Sequence, residues 1–175
     1  MLFRSAALLE WSLRLDIALH ALMFTLSGVP VLYSGDEIAR RNDDAYHDDP
    51  LKAGDSRYLH RGAMDWEAAE KRDDPAAPEG RVFQAIRKLE ALRAEHAAFD
   101  TSAQVSLLPC PDDSLLGIER CGGGERLLAL FNFSDVSKNP MPGDSGRYLD
   151  LWTGKAVRGG ALTLPAGGFA WVIEQ

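Results

Sequence analysis

A single strand-like run in the first half of the chain limits what the sequence can fold into more than any other feature. Residues 29–33 read Val-Pro-Val-Leu-Tyr between Gly28 and Gly35, a pattern typical of a strand buried on both faces of a parallel sheet. Helical patterns flank this run at 2–26 and 79–97. Because such a strand needs neighbours on both sides, the first half predicts the last αβα portion of a barrel whose earlier units are missing from this sequence.

The pattern changes after residue 99, where short apolar runs alternate with turn signals. Five such runs fit strands: 105–108, 114–120, 126–133, 147–152 and 169–173. Three glycines at 122–124 predict a tight hairpin turn between two of them. The predicted fold class is therefore α/β plus all-β. It combines the terminal strand and helices of a TIM (β/α)8 barrel, residues 1–98, with a small antiparallel β-sandwich domain, residues 99–175.

Composition narrows the classes of partner. The formal net charge of −7 argues against nucleic acid, whose phosphates call for a basic patch, and against an anionic membrane surface. A neutral sugar is compatible with this charge. Cys110 and Cys121 fit no zinc site, and their thiols are expected to stay reduced, as they would in the cytoplasm. We expect a cytoplasmic protein that uses neither a metal nor a cofactor.

The apolar N-terminal run does not fit a targeting or membrane segment. A signal peptide needs an uninterrupted apolar stretch, and a membrane span needs about 20 mostly apolar residues. Five residues interrupt this run: Arg4, Glu10, Arg14, Asp16 and His20. The run therefore predicts an amphipathic helix with a buried face. Farther along, Asp65 is expected to cap a short helix. All four tryptophans are expected in cores rather than as sugar platforms: Trp11, Trp66, Trp152 and Trp171.

Residues 28–37, Gly-Val-Pro-Val-Leu-Tyr-Ser-Gly-Asp-Glu, resemble the eighth barrel strand of the α-amylase superfamily, whose pattern is G-x-P-x-x-Y-x-G followed by two residues that are acidic. Pro30 suits the start of a strand, where no ladder N–H is needed. Gly35 lets the chain turn at the end of the strand. The resemblance implies that Asp36 and Glu37 point to the catalytic, C-terminal face of a barrel.

The following loop resembles, more narrowly, the amylosucrase branch of that superfamily. Residues 42–43, Asn-Asp, and 55–61, Asp-Ser-Arg-Tyr-Leu-His-Arg, are similar to its N-D and D-S-R-W-x-H-R runs. Residues 132–134, Asn-Phe-Ser, are similar to the N-F-S turn of its C-terminal β-domain. Three positions depart from the branch, which has Asp, Trp and Pro where this chain has Gly54, Tyr58 and Gly62. The resemblance covers nearly the whole chain.

The resemblance implies glucosyl transfer from sucrose to α-glucans by a retaining mechanism. That mechanism needs a nucleophilic carboxylate and an acid/base carboxylic acid about 5–5.5 Å apart. In the family these follow barrel strands 4 and 5, and a stabilising Asp follows strand 7. This sequence aligns after strand 7, so we predict no catalytic residue in it. Its expected partner, as part of an intact enzyme, is sucrose or an α-glucan.

The resemblance also implies a substrate-binding role for Arg57. In amylosucrases this arginine pairs with an aspartate from an early barrel loop and helps to hold the terminal glucosyl ring. The planar fork of arginine can bind a carboxylate with two hydrogen bonds and still donate to hydroxyls. Asp55 is expected to brace this loop, and Tyr33 and His60 are expected to support the pocket.

Two acidic groups have alternative interpretations. Asp36 and Glu37 are either a general acid and base or a pair that orders the loops around the pocket. Neighbouring residues on a strand point to opposite faces, which favours the loop-ordering role. The acidic run at 43–49 either binds Ca²⁺ or is a solvated loop, and the missing EF-hand register favours the loop.

Two classes of function remain open at this stage. The chain is either a portion of an amylosucrase-like enzyme or a non-catalytic carbohydrate-binding or interaction module. The missing carboxylates favour the module, whereas the lone strand and the open helix face favour the enzyme portion. Unpaired barrel edges also predict self-association of the isolated chain.

Overall fold

The computed structural model describes residues 6–175, which form two compact units. One unit comprises the residues up to Pro30 together with Ala85–Gln175, and the other is Val31–Gln84. The predicted domain boundary near residue 98 separates the last part of a barrel from the β-domain. It stays a prediction. Within the described residues, no helix is long and apolar enough to cross a membrane.

Three α-helices precede the sheet: α1 spans Ala6–Thr25, α2 spans Trp66–Glu70 and α3 spans Pro78–Glu95. The helix predicted from residue 2 is confirmed from residue 6 onward, and its first residues lie outside the described part of the chain. The predicted cap of α2 is also confirmed, because the Asp65 carboxylate accepts a hydrogen bond from the Ala68 N–H at 2.9 Å.

Both long helices bury one face. In α3, Val82, Ile86 and Leu89 recur at helical spacing and are almost fully buried. In α1, Phe24 is buried while Leu19 is 48% exposed. The apolar residues of α3 are therefore more completely buried than those of α1.

The second half of the chain forms six strands: β1 Gln104–Leu108, β2 Leu115–Gly122, β3 Glu125–Asn132, β4 Arg147–Asp150, β5 Lys155–Arg158 and β6 Phe169–Glu174. All pairings are antiparallel, so the predicted all-β domain and its five strands are confirmed. β5 adds a strand that the weak pattern Lys-Ala-Val-Arg does not predict. β6 pairs with both β3 and β4, and this joins the strands into one sheet, in the order β1-β2-β3-β6-β4-β5, rather than two facing sheets.

The two faces of the sheet are covered by different parts of the same unit. On one face, Leu128 and Leu130 of β3 belong to a buried cluster with Tyr148, Leu162, Leu164, Ala170 and Val172. On the other face, Trp171 of β6 is fully buried, and its indole N–H donates to Thr25 Oγ at the end of α1, at 2.9 Å. The core position predicted for Trp171 is thus confirmed.

A buried arginine ties α1 to the sheet. Arg120 of β2 is 1% exposed. Its guanidinium donates to the carbonyl oxygens of Thr25 at 2.8 Å, Ala98 at 2.7 Å and Asp100 at 2.9 Å. The last carbonyls of a helix have no partner within the helix, so this side chain satisfies one end of α1 as well as the turn before β1.

The Asn-Phe-Ser sequence at 132–134 has a structural role. Asn132 is fully buried at the end of β3. Its amide donates to the carbonyl oxygens of Val136, Leu164 and Pro165 at 2.7, 3.2 and 3.0 Å, and its own oxygen accepts from Ser134 N at 3.0 Å. One side chain therefore joins two loops that are about thirty residues apart in sequence.

The strand predicted at 29–33 is wrong as a description of this chain. These residues form no strand and pair with none, and Val29 and Val31 are 84% and 77% exposed. A parallel strand is held by hydrogen bonds to neighbours on both edges, and no such neighbour occurs among residues 6–175. The sequence pattern of a buried strand is therefore present at 29–33, but the neighbouring strands that would pair with it are not found among residues 6–175.

The core position predicted for Trp66 is also wrong, because its side chain is 74% exposed. α2 has only five residues and buries none of them, so it offers no apolar face on which an indole could pack. Trp11 and Trp152 are half-buried, and Trp152 packs against Phe169 with 5.1 Å between the ring centroids.

Candidate functional site

A cavity of about 430 Å³ lies within the unit Val31–Gln84. Two segments form it, one at the end of the superfamily-like motif and the other from the loop that resembles amylosucrases. Its lining consists of Tyr33, Ser34, Asp36, Arg40, Arg41, Asn42, Arg57, His60 and Arg61. The structure therefore gathers four of the six predicted site residues, namely Tyr33, Asp36, Arg57 and His60, around one space.

The first wall is a tight turn held by its own acidic residues. Asp36 accepts a hydrogen bond from the Tyr33 N–H at 3.1 Å, and Glu37 accepts one from the Gly35 N–H at 2.8 Å. Gly35 has φ of +103°, and a Cβ there would lie 2.6 Å from Cδ of Arg40. Both carboxylates thus hold backbone in place, which is the behaviour expected of loop-ordering residues.

Arg57 on the second wall is held by Asp55. Arg57 Nε lies 2.8 Å from Asp55 Oδ1, and Nη2 lies 2.7 Å from Oδ2, which makes a two-pronged ion pair. Asp55 also accepts the Arg57 backbone N–H at 3.0 Å, and so caps the 3-10 helix Ser56–His60. The amylosucrase resemblance implies an aspartate from another loop as partner, whereas here the partner is Asp55 itself.

This ion pair changes the acidity of Asp55. Its side-chain hydrogen bonds from Arg57, together with the bond from the Arg57 backbone, lower the pKa of Asp55 to about 2, and the charge of Arg61 acts in the same direction. The Asp55 carboxylate is therefore ionised at any pH above that value. It keeps Arg57 in one orientation at the cavity wall.

The acidic run at 43–49 is organised as loop structure. Asp43 caps the 3-10 helix Asp44–Asp48 by accepting from Ala45 N at 3.2 Å, and its backbone N–H donates to Leu59 O at 2.8 Å. Asp49 pairs with Lys52 at 3.0 Å. Among the described residues, no three His, Cys, Asp or Glu side chains are grouped closely enough to hold a metal ion.

Sequence reasoning missed Arg40, Arg41 and Asn42 as lining residues. The signal that could have found Arg40 is the departure at Gly62, where a Cβ would lie 2.7 Å from Arg40 Nη2 and 2.8 Å from Asp43 Oδ2. The space that a larger residue would fill at position 62 is thus occupied by Arg40 and Asp43.

The six predicted site residues fall into two groups, those that line the cavity and those that hold its lining in place. Tyr33, Asp36, Arg57 and His60 line the cavity, while Asp55 and Glu37 support it from behind, through Arg57 and the Gly35 turn. Their part in binding a substrate stays a prediction.

A second cavity, of about 470 Å³, lies on the β-domain and is mainly apolar. Its lining includes Leu108, Cys110, Leu130 and Met141, and burial raises the pKa of the Cys110 thiol. Cys110 and Cys121 are both free thiols. This cavity contains none of the predicted site residues.

No family model matches the chain. Three solved structures show the likeness in fold. One is a maltogenic amylase from S.marinus, with a TM-score of 0.62 and 21% identity over 91% of this chain and 19% of that chain. A trehalulose synthase mutant in complex with Tris has a TM-score of 0.71 and 19% identity over 94% of this chain and 39% of its own. An α-amylase from Geobacillus thermoleovorans, complexed with acarbose, has a TM-score of 0.64 and 20% identity over 93% and 33%.

These neighbours are members of the α-amylase family, and the likeness shows the fold. The match includes the six-stranded sheet, which corresponds to their C-terminal β-domain. The chain spans between 19% and 39% of the length of these neighbours.

Proposed function

We propose that the chain forms one wall of the glucosyl pocket of a cytoplasmic, amylosucrase-like enzyme that acts on sucrose and α-glucans. On its own it carries no catalytic residue and turns over no sugar. The observation that carries this proposal is the position of Arg57, which is fixed by Asp55 at the wall of a cavity that also includes Tyr33, Asp36 and His60.

The geometry of Arg57 suits recognition of a sugar hydroxyl. Nε and Nη2 are taken by Asp55, and among the described residues Nη1 has no hydrogen-bond partner. A guanidinium fixed through two of its nitrogens donates from the third in a defined direction. Asp36 supplies an acceptor and Asn42 an amide at the same wall, which are the groups that neutral sugars need.

The structural neighbours support the α-glucoside part of the proposal. They include amylases and a trehalulose synthase, and one of the amylases is a complex with acarbose. The sucrose part rests on the run Asp-Ser-Arg-Tyr-Leu-His-Arg at 55–61, which is similar to that of amylosucrases.

A two-part experiment tests this role. The purified chain is incubated with sucrose, and no release of glucose or fructose is expected. Sucrose is then titrated into labelled protein, and backbone NMR shifts are expected at Tyr33, Arg57 and His60. Arg57→Ala should abolish these shifts. Arg72→Ala should preserve them, since Arg72 is an exposed arginine of the same unit outside the cavity.

Two results would contradict the proposal. Turnover that survives Arg57→Ala would show that the pocket assignment is wrong. Sucrose-dependent shifts confined to the β-domain would support a carbohydrate-binding module instead.

A further inference from the structure

The two edges of the six-stranded sheet differ in how they are protected against pairing with another chain. β5 forms one edge and carries Lys155 and Arg158 at its two ends. β1 forms the other edge with the residues Gln-Val-Ser-Leu-Leu, which include no charge and no proline. Charged side chains and prolines are common means by which proteins keep an edge strand from pairing. By this criterion β5 is a protected edge and β1 is not.

The side chains of β1 lie largely in solvent. Val105 is 40% exposed and Leu107 is 76% exposed, and because they are two positions apart, they project from the same face of the sheet. Within residues 6–175, no strand pairs with the outer side of β1. The open edge ends at Pro109, which follows β1 and has no N–H to donate.

The register of the sheet identifies the backbone groups that point outward from β1. Phe133 N–H donates to Ser114 O at 2.9 Å, so the even-numbered residues of β2 direct their backbone groups to β3 and the odd-numbered ones to β1. The odd-numbered residues of β2 pair with Gln104, Ser106 and Leu108. Val105 and Leu107 therefore direct their N–H and C=O groups to the open side.

An antiparallel pairing of β1 with itself is complementary in both hydrogen bonds and side chains. With a two-fold axis at Ser106, Val105 lies opposite Leu107 of the second copy, and each such pair exchanges two hydrogen bonds between outward groups. The two pairs bring apolar side chains together, and no charged residue of one β1 faces another. The same operation over the whole of β5 places Lys155 opposite Arg158, and like charges directly opposite each other destabilise a strand pair.

We propose that β1 is an interaction surface for a second copy of this chain, and that two copies join their sheets into one continuous sheet through this strand. The pairing spans only the five residues of β1, so the interface is small and the dimer forms reversibly at high protein concentration. This inference concerns the β-domain and does not depend on the proposed glucosyl pocket. It also differs from association through unpaired barrel edges, which would not involve β1.

Two measurements on the full chain test the dimer and its location. Sedimentation equilibrium between about 5 and about 500 µM protein should show monomer and dimer and no larger species. Amide hydrogen exchange over the same range should show where the copies meet. Because Val105 and Leu107 donate outward, the protection of their N–H groups should rise with protein concentration. Ser106 and Leu108, which bond to β2, should be equally protected throughout.

Single substitutions locate the surface. Leu107→Lys should weaken the dimer by about tenfold, because it places a charge in the apolar pair with Val105 of the second copy. The Leu107 side chain is mostly in solvent, so this variant should fold as the parent chain does. Leu19→Lys is the matched control, since Leu19 is a 48% exposed leucine of α1 in the same unit. It should leave the dimer unchanged.

A mixing experiment tests the pairing of β1 with β1. One variant combines Val105→Lys with Leu107→Lys, and the other combines Val105→Glu with Leu107→Glu. Each alone should be a monomer, because like charges then lie opposite each other. An equimolar mixture should form the dimer again, because each lysine then lies opposite a glutamate. If either double variant fails to fold, Leu107→Lys and the exchange of the Val105 amide still decide the question.

Several results would overturn the inference. A chain that stays monomeric at every concentration has no such surface. A dimer that survives Leu107→Lys does not use β1, and one that is lost with Leu19→Lys instead uses α1. Species that grow beyond a dimer would indicate head-to-tail pairing of β1 with β5. Exchange at Val105 and Leu107 that is independent of concentration would show that their N–H groups remain unpaired. None of these results bears on the glucosyl pocket.

Discussion

The two units of this chain satisfy their polar groups in opposite ways. In the unit that contains the sheet, the important polar side chains are buried and their partners are distant in sequence. Arg120 donates to Thr25, ninety-five residues earlier, and Asn132 to Pro165, thirty-three residues later. In Val31–Gln84 the partners are close in sequence. Asp43 and Asp55 each accept a backbone N–H from two residues ahead.

The buried long-range hydrogen bonds of the first unit stabilise the fold, whereas the exposed short-range ones of Val31–Gln84 set the geometry of the cavity. A buried donor group that loses its partners leaves several carbonyls without hydrogen bonds in a place that water does not reach. An exposed cap that is lost is replaced by water at little cost. Substitutions in the first unit should therefore affect global stability, and those in the second should affect local geometry.

Arg120→Met should produce the largest effect. It removes three hydrogen bonds and leaves three carbonyl oxygens without that donor, so the free energy of unfolding should fall by about 4 kcal/mol. Urea unfolding followed by tryptophan fluorescence measures it, since Trp171 is fully buried in the folded unit. Arg158→Met on exposed β5 is the matched control, with a change within about 0.5 kcal/mol. Equal effects of the two substitutions would break the comparison.

Asn132→Ala should come next, at about 3 kcal/mol, because the amide bridges three carbonyl oxygens in a fully buried position. Asn139→Ala is its control. That half-buried side chain donates to one carbonyl oxygen, Gly160 O, and accepts from Met141 N, so about 1 kcal/mol is expected. Thermal unfolding by calorimetry gives both values. A larger loss for Asn139 would show that burial and the number of carbonyl oxygens bonded do not determine the effect.

Gly62→Ala should lower stability by about 2 kcal/mol, since the new Cβ would lie 2.7 Å from Nη2 of Arg40 and 2.9 Å from Cβ of Asp43, which must shift to accommodate it. Its clearer result should be a shift of the Arg40 and Tyr33 NMR resonances as the cavity wall moves. Gly54→Ala meets no atom within 4 Å and should be neutral or slightly stabilising. If Gly54→Ala disturbed the cavity as much as Gly62→Ala, the close approach of Arg40 would not explain the effect.

The smallest effect concerns pH. The pKa of Asp55 is lowered to about 2 by Arg57, so the contribution of the pair is fully present above the unfolded pKa of about 3.9 and is lost as pH falls towards 2. The Arg57 side-chain N–H resonance should stay constant from pH 7 to about pH 4 and move below it. Asp55→Asn should remove this transition. A transition centred above pH 4 would contradict the ion pair.

The sequence predicts features whose cause is local. The helix predicted at 79–97, which forms at 78–95, the Asp65 cap and five strands follow from periodicity and turn residues within a few positions. The strand at 29–33 fails because its stability depends on neighbouring strands. Trp66 fails for a related reason, since the character of an indole does not reveal that α2 is too short to bury it.

In the candidate site, too, the sequence predicts residues whose role is set locally and misses those whose role depends on distant parts of the chain. Asp36, Arg57 and His60 were found from a motif, and the pairing of Asp55 with Arg57 is as local as the motif itself. Arg40 and Arg41 were missed because their place at the cavity depends on how two loops meet. Arg120 and Asn132 were missed as structural residues, since nothing within a few positions of either indicates their distant partners.

The position of β6 has a consequence for how the sheet is assembled during synthesis. The last of these six strands along the chain lies in the middle of the sheet, between β3 and β4. Until β6 is synthesised, β1 to β3 and β4 to β5 form two separate partial sheets, and the edges of β3 and β4 that β6 joins are unpaired. A chain truncated before residues 169–174 would therefore leave the edges of β3 and β4 without hydrogen-bond partners. Such a chain would be prone to aggregation, chaperone binding and proteolysis.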